Sequence, residues 1–158
     1  MAPWYEKHRG FYNRKENIMS ETIEAKGSCL CGGVSVQALA MSQSVGACHC
    51  SACRKWSGGP LLTVDCNTKV DILGGENVSV YESSEWAERG FCGNCGTHLF
   101  YRLKQNGQYI IPVGLFDVPS QLNFDHQIFI EEKPEYYAFA NATKNMTGEE
   151  VFAQFSGE

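Results

Sequence analysis

The chain has 158 residues, 43% hydrophobic and 20% charged, with a formal net charge of −5. This is the length of one domain and the composition of a soluble globular protein, and no apolar run approaches the roughly 18 residues of a membrane span. The negative charge also argues against nucleic acid, which requires a basic surface. We therefore expect neither a membrane nor nucleic acid as a partner.

The beginning of the chain differs in character from the rest. It mixes aromatic with basic side chains and lacks the continuous apolar core of a secretory signal. We therefore expect a cytoplasmic protein with an N-terminal arm, residues 1–18, and one domain, residues 19–158, for which Met19 is an alternative start. The aromatic residues of the arm could pack on this domain or on a second copy of the chain, which leaves a homodimer open.

Short strands dominate the pattern that follows the arm. Residues 32–40, GGVSVQALA, alternate apolar and polar side chains with the period of two typical of a half-buried strand. Further strand candidates are residues 61–66, 78–83 and 86–91. Helix is scarce, with one short turn expected after Cys50 and another after Pro119. The sequence predicts a mainly β fold, a compact single domain of several small antiparallel sheets.

The clearest local signal is a hairpin over residues 97–116. Two apolar, aromatic-rich runs are joined by Asn106 and Gly107, a dipeptide that favours a tight type I′ turn. Pro112 lacks a backbone donor, so we expect the second arm to be an edge strand or to contain a bulge near this residue.

Eight cysteines give the strongest indication of function. In a reducing cytoplasm, clustered cysteines indicate metal ligands or catalytic thiols before disulfides. Cys29 and Cys31 form a C-x-C pair, and Cys92 and Cys95 form a C-x-x-C pair. Between them lie a C-x-C-x-x-C cluster, formed by Cys48, Cys50 and Cys53, and the solitary Cys66. Such spacings are typical of zinc ligands.

The spacing alone leaves two partitions of these thiols open. In the first, the two outer pairs form a closed four-thiolate site, and the C-x-C-x-x-C cluster holds a second zinc with an open coordination position. In the second, Cys50 and Cys53 join the C-x-x-C pair in a single site, and Cys66 is a redox nucleophile, as in methionine sulfoxide reductases of the B type. Closed sites are structural, whereas open ones are catalytic.

Three motifs, in order, carry a resemblance to a known family. GSCLCGGV (27–34), CHCSACRKWSGG (48–59) and RGFCGNCGTHLF (89–100) resemble those of the glutathione-dependent formaldehyde-activating enzyme and centromere protein V family. The later HQIFIEEKPEYYAF (126–139) resembles its C-terminal stretch. The resemblance spans about residues 26–140 and implies a fold like that of a zinc-containing Rab-GTPase accessory chaperone and of B-type methionine sulfoxide reductases.

The resemblance also implies two zinc ions and their ligands. It assigns structural zinc to the outer pairs, Cys29, Cys31, Cys92 and Cys95, and a labile catalytic zinc to Cys48, Cys50 and Cys53. It further implies that a low-molecular-weight thiol such as glutathione adds to a small aldehyde such as formaldehyde, a carbon–sulfur lyase reaction. A zinc held by three thiolates carries a net charge of about −1, which suits it to binding a soft thiol.

The residues around the cluster allow a functional or an ordinary structural interpretation. Arg54 and Lys55 could bind the carboxylates of a glutathione-like ligand or form a solvated face. His49, between two candidate ligands, is expected to point away from the ion. Cys66, at a strand end, is expected to be a buried small hydrophobe.

Two alternatives to the lyase remain at this level. One is a non-enzymatic zinc module that binds or carries glutathione or a protein partner. The other is the sulfoxide reductase, which requires a single zinc and a reactive Cys66.

Overall fold

The computed structural model of the chain describes residues 22–117 and 122–156. The predicted arm, residues 1–18, lies outside these described residues, as do residues 118–121, where a helical turn was expected after Pro119. Neither helix in the described ranges is long and apolar enough to cross a membrane.

Strands outnumber helices in the described residues, and the predicted mainly β fold is confirmed. The strands are β1 (Ile23–Ser28), β2 (Ser35–Met41), β3 (Ser44–Cys48), β4 (Leu61–Asp65), β5 (Val70–Leu73), β6 (Val78–Tyr81), β7 (Ala87–Cys92), β8 (His98–Leu103), β9 (Tyr109–Pro112), β10 (Asn123–Ile128) and β11 (Lys144–Met146). The α-helices are α1 (Ser51–Ser57) and α2 (Gly148–Ser156). Short 3₁₀ turns span Gly75–Asn77, Val113–Leu115 and Ile130–Glu132.

The strands form a small sheet and a large one. The small sheet has the order β1-β2-β5 and is antiparallel, as predicted. The large sheet has the order β11-β10-β3-β4-β9-β8-β7-β6, and in it β10 pairs parallel with both β3 and β11. The expectation of antiparallel sheets alone is therefore wrong for β10, because parallel pairing depends on a long connection that strand periodicity does not encode.

The predicted strands form where apolar residues alternate. In β2, Val36 and Ala38 are buried in the core, whereas Ser35 and Gln37, which alternate with them, are only partly buried. This matches the period of two. The other three candidates become β4, β6 and β7. The turn expected after Cys50 is helix α1.

The predicted hairpin is present as β8 and β9, but its turn differs from the prediction. Tyr101 pairs with Ile110, and the amide of Leu103 donates to the carbonyl of Gln108. Gly107 has a φ of 74° and its amide donates to the carbonyl of Leu103, whereas the φ of Asn106 is not positive. A type I′ turn requires positive φ at both central residues. The loop is therefore a wider one that closes on Gly107, and the type I′ expectation is wrong.

Pro112 does not lie on an edge strand, because β9 is between β4 and β8. It is the last residue of β9, opposite Thr63, and the pairing of β9 with β8 has already ended at Ile110. The missing amide of proline therefore breaks no bond to β8. The irregularity in this part of the sheet lies between β7 and β8, where the register shifts after Gly90.

The contact between Gly90 and Phe100 fixes the spacing of β7 and β8. The two residues face each other across the strands, and a Cβ atom on Gly90 would lie 2.3 Å from the ring of Phe100. Phe100 belongs to the hydrophobic core and is 4% exposed, so its ring has little room to move.

We predict that Gly90→Ala lowers the free energy of unfolding by about 1–3 kcal/mol, because the added methyl group overpacks this contact. Urea denaturation of the purified protein measures the change. The control is Gly75→Ala, since a Cβ at Gly75 meets no atom within 4 Å; its effect should stay within about 0.5 kcal/mol. Equal unfolding midpoints for the two variants would contradict this account.

Candidate functional site

Four cysteine thiols from two distant chain segments converge in one cluster, which we call the four-cysteine cluster. Cys29 and Cys31 follow β1, Cys92 ends β7, and Cys95 lies in the turn before β8. Their sulfur atoms all lie within 4.8 Å of one another. The Cys29–Cys31 and Cys31–Cys92 sulfur distances are 3.5 and 3.7 Å. Thiolates held at about 2.3 Å around a tetrahedral ion lie about 3.8 Å apart, so the cluster could hold a metal ion.

Each pair of cysteines in this cluster sits on a tight backbone turn. Gly32 and Gly96 have φ values of 77° and 78°, a left-handed conformation that glycine adopts without strain. The amides of Gly33 and Val34 donate to the sulfur atoms of Cys31 and Cys29 at 3.4 and 3.3 Å. These donors stabilise thiolate charge, as a metal site of this kind requires.

Thr97 ties the two turns together. Its hydroxyl lies 3.2 Å from the sulfur of Cys95 and accepts from the amide of Leu30 at 3.0 Å. Hydrogen bonds from the side chain and amide of Thr97 lower the pKa of the Cys95 thiol to about 5. The cluster therefore joins the small sheet, through β1, to the turn between β7 and β8.

A second group of thiols, the three-cysteine cluster, lies where β3 leads into α1. Cys48 ends β3, Cys50 is the N-cap of α1, and Cys53 lies within the helix. The amide of Cys53 donates to the sulfur of Cys50 at 3.4 Å, which begins the helix and orients both side chains. All three sulfur atoms lie within 4.8 Å of one another, so this cluster too could hold a metal ion.

The three-cysteine cluster differs from the first in ligand number. Among the described residues, no fourth histidine, cysteine or carboxylate ligand atom belongs to the group. Hydrogen bonds with Cys48 and Cys53 lower the pKa of the Cys50 thiol to about 2, whereas hydrogen bonds with Cys50 and burial raise the pKa of Cys48. Even without a metal, the cluster therefore favours a thiolate on Cys50.

The sulfur atoms thus group as in the first of the two partitions. Cys50 and Cys53 associate with Cys48 and not with the C-x-x-C pair. Cys66 is fully buried in the core, and this burial raises the pKa of its thiol to about 12. It is a small hydrophobe, as expected, and an unreactive thiol at neutral pH.

His49 lies in the chain between two members of the cluster, yet both of its ring nitrogens are engaged elsewhere. Nε2 lies 2.8 Å from Oε1 of Gln127, and Nδ1 lies 2.7 Å from the hydroxyl of Tyr137. Because an amide oxygen can only accept, Nε2 carries the proton and Nδ1 accepts from Tyr137. Burial lowers the pKa of His49, which is fully enclosed. As predicted, this side chain does not face the thiols, and it ties the end of β3 to β10.

Arg54 and Lys55, the candidate ligand-binding residues, follow Cys53 on α1. The Nε of Arg54 donates to the carbonyl of His49 at 2.8 Å, which holds the half-buried side chain beside the cluster. Lys55 is exposed. The two cations therefore lie on the helix that carries Cys53.

Arg89 on β7 is part of the site although the sequence did not single it out. Its Nη2 donates to the sulfur of Cys53 at 3.5 Å, and the side chain is only 6% exposed. The guanidinium lies 4.9 Å from the ring centre of Trp56 and 5.0 Å from that of Tyr101. Trp56 also stacks on His98, with the ring centres 3.9 Å apart. A chain of side-chain contacts thus runs from the three-cysteine cluster to the start of β8.

Comparisons with known proteins identify the family of the chain. The sequence model of the glutathione-dependent formaldehyde-activating enzyme family matches residues 24–132. An uncharacterized lyase of Schizosaccharomyces pombe is 39% identical over 130 residues, covering 81% of this chain and 94% of that protein. The crystal structure of a Rhodobacter sphaeroides protein superposes with a TM-score of 0.51 at 24% identity, over 60% of this chain and 90% of that one, and shares the fold. The chain belongs to the glutathione-dependent formaldehyde-activating enzyme family.

Proposed function

We propose that the protein is a zinc-dependent carbon–sulfur lyase that joins, or reversibly separates, a low-molecular-weight thiol such as glutathione and a small aldehyde such as formaldehyde. Membership of the family and the lyase among its relatives support the reaction class. The observation that carries the proposal is the unequal division of sulfur atoms, four in one cluster and three in the other.

The donor sets of both clusters fit zinc. Zinc accepts thiolate ligands in a tetrahedron, and sites with four protein ligands are structural, whereas sites with three leave a position for substrate. We therefore assign structural zinc to the four-cysteine cluster and catalytic zinc to the three-cysteine cluster. When bound there, zinc supplies an open coordination position that lowers the pKa of an entering thiol and so provides a nucleophile.

The reaction is an addition and needs no redox partner. The sulfur of the thiol forms a bond to the carbonyl carbon, the carbon–oxygen π bond opens, and the proton lost by the thiol is matched by one gained at the new hydroxyl. In reverse, the same carbon–sulfur bond breaks and the aldehyde is released. Formaldehyde and glutathione give S-hydroxymethylglutathione in this way.

The chain's own residues hold the thiol substrate and keep the site in place. Arg54 and Lys55, one turn along α1 from the N-cap, provide the cations for the carboxylates of a glutathione-like ligand. His49 stays neutral and orients the end of β3 through Gln127 and Tyr137, so we give it a positioning role and not that of a proton shuttle.

We predict that Cys50→Ser abolishes the glutathione-dependent consumption of formaldehyde above the spontaneous rate. The substitution removes one of three sulfur ligands, while the serine oxygen preserves the N-cap of α1 and hence the fold. The rate is followed by NMR against the reaction without protein, and the circular dichroism spectrum checks the fold.

The control for this experiment is Cys66→Ser, since Cys66 belongs to neither cluster. It should retain wild-type turnover wherever it folds; loss of turnover in well-folded Cys66→Ser would show that a thiol outside both clusters takes part in the reaction, and would contradict the proposal. Unchanged turnover in Cys50→Ser would refute the lyase proposal. Saturable glutathione binding by the wild type without turnover would indicate the non-enzymatic carrier.

The two clusters should also differ in their effect on stability. Structural zinc contributes about 10–16 kcal/mol of apparent free energy at neutral pH, which is comparable to the stability of a whole domain. We predict that Cys92→Ser aggregates or melts far below the wild type, whereas Cys50→Ser melts close to it. Thermal unfolding followed by circular dichroism measures both. Equal melting temperatures for the two variants would contradict the assignment of the structural site.

A further inference from the structure

Arg89 is the charged residue with the most unusual surroundings in the described part of the chain. Three polar or charged side chains are buried there, namely His49, Arg89 and Gln127. Of these, Arg89 is the one that always carries a charge. Burying a cation is costly unless an anion or hydrogen-bond acceptors compensate it. What compensates Arg89 therefore indicates what the site is built to hold.

No carboxylate within the described ranges forms an ion pair with Arg89. Its Nη2 donates a hydrogen bond to the sulfur of Cys53, and its Nη1 has no hydrogen-bond partner among the described residues. The rings of Trp56 and Tyr101 contribute cation–π attraction and hold the group in place. The negative charge that Arg89 faces is therefore that of the three-cysteine cluster.

The neighbouring arginine shows how different this is from an ordinary surface residue. Arg102 on β8 lies opposite Glu88 and forms an ion pair with it at 2.9 Å, with 40% of its side chain exposed. It also lies over an aromatic ring, that of Tyr109. Arg102 thus has a carboxylate partner and is partly exposed to solvent, whereas Arg89 has no carboxylate partner and is buried.

Charge balance gives this contact a function. A divalent ion held by three thiolates has a net charge of about −1, and a thiolate entering as fourth ligand brings it to about −2. The guanidinium, 3.5 Å from one of these sulfur atoms, adds one positive charge and so halves or cancels the net negative charge of the site. Because the group is excluded from solvent, its charge is weakly screened.

We propose that Arg89 is the fixed positive charge that allows the three-cysteine site to accept a fourth, anionic sulfur ligand, and that it thereby sets the preference of this site for thiol substrates. The inference rests on the proposed function, since it concerns the same open position. It assigns Arg89 to the sulfur of the substrate and leaves the carboxylates of a glutathione-like ligand to Arg54 and Lys55.

The test uses the protein loaded with Co²⁺, whose thiolate charge-transfer absorption reports each added sulfur ligand. Titration with glutathione and with 2-mercaptoethanol gives dissociation constants, and difference spectra against the thiol-free protein cancel the constant signal of the four-cysteine cluster. 2-Mercaptoethanol carries no carboxylate, so it isolates the effect of Arg89 on sulfur. We expect Arg89→Met to bind both thiols at least about tenfold more weakly, as loss of a buried charge-assisted interaction implies.

Two matched variants separate charge from packing. Arg89→Lys keeps the positive charge but lacks the planar guanidinium. It should bind both thiols at least threefold more tightly than Arg89→Met. Arg102→Met removes the same type of side chain from the next strand and should leave both dissociation constants within about twofold of the wild type, since its ion pair is with Glu88 and not with a cysteine. If Arg89→Met loses its metal or its fold, Arg89→Gln replaces it as the neutral member of the comparison.

The proposed function and the role of Arg89 would fail on different outcomes. If the wild type shows no thiol-dependent spectral change, the proposed function fails. If the wild type responds and the neutral Arg89 variant binds 2-mercaptoethanol as tightly, or if Arg89→Lys binds no better than the neutral variant, the role of Arg89 alone is overturned. A loss confined to glutathione would show that Arg89 binds a carboxylate, which also overturns it.

Discussion

The architecture depends on the convergence of four sulfur atoms from residues 29–31 and 92–95, segments about sixty positions apart in the chain. Their spacing is that of thiolates around one tetrahedral ion, and amides and the Thr97 hydroxyl already point at three of them. This cluster ties β1 of the small sheet to the turn between β7 and β8 of the large one. Because this cluster uses both outer pairs of cysteines, the C-x-C-x-x-C motif forms a separate group of three thiols.

The two clusters are connected through side chains as well as through the sheet. His98 follows Thr97 at the start of β8, stacks on Trp56 of α1, and Trp56 in turn contacts Arg89, which reaches Cys53. The helix that carries the three-cysteine cluster is thus packed on the strands that flank the four-cysteine cluster.

Local sequence patterns predicted much of this fold and part of the site. Alternation located β2, and two apolar runs joined by Asn106 and Gly107 located the hairpin of β8 and β9. Cysteine spacing identified candidate metal ligands but could not choose between two partitions. The partition depends on which segments meet in space, and the family resemblance supplied that information. The parallel pairing of β10 was missed for the same reason, since no local pattern encodes a long-range connection.

Arg89 shows why the rest of the site could not be read from the sequence. An arginine in a strand such as residues 86–91 normally marks the solvent face. A signal was present, because the period of two places Arg89 on the same face as the buried Ala87. The period ends at Gly90, which is buried as well and is followed by the register shift between β7 and β8. Only the contact with Cys53 identifies Arg89 as part of the site.

Native mass spectrometry determines whether the protein divides its sulfur ligands between one closed and one open metal site. The spectrum is recorded on the zinc-loaded chain, after brief treatment with a chelator, and with glutathione present. We expect two zinc ions, one of which the chelator removes, and a glutathione adduct only on the species that retains both. A single zinc ion at saturation, or glutathione bound equally well after the second ion is removed, would contradict it.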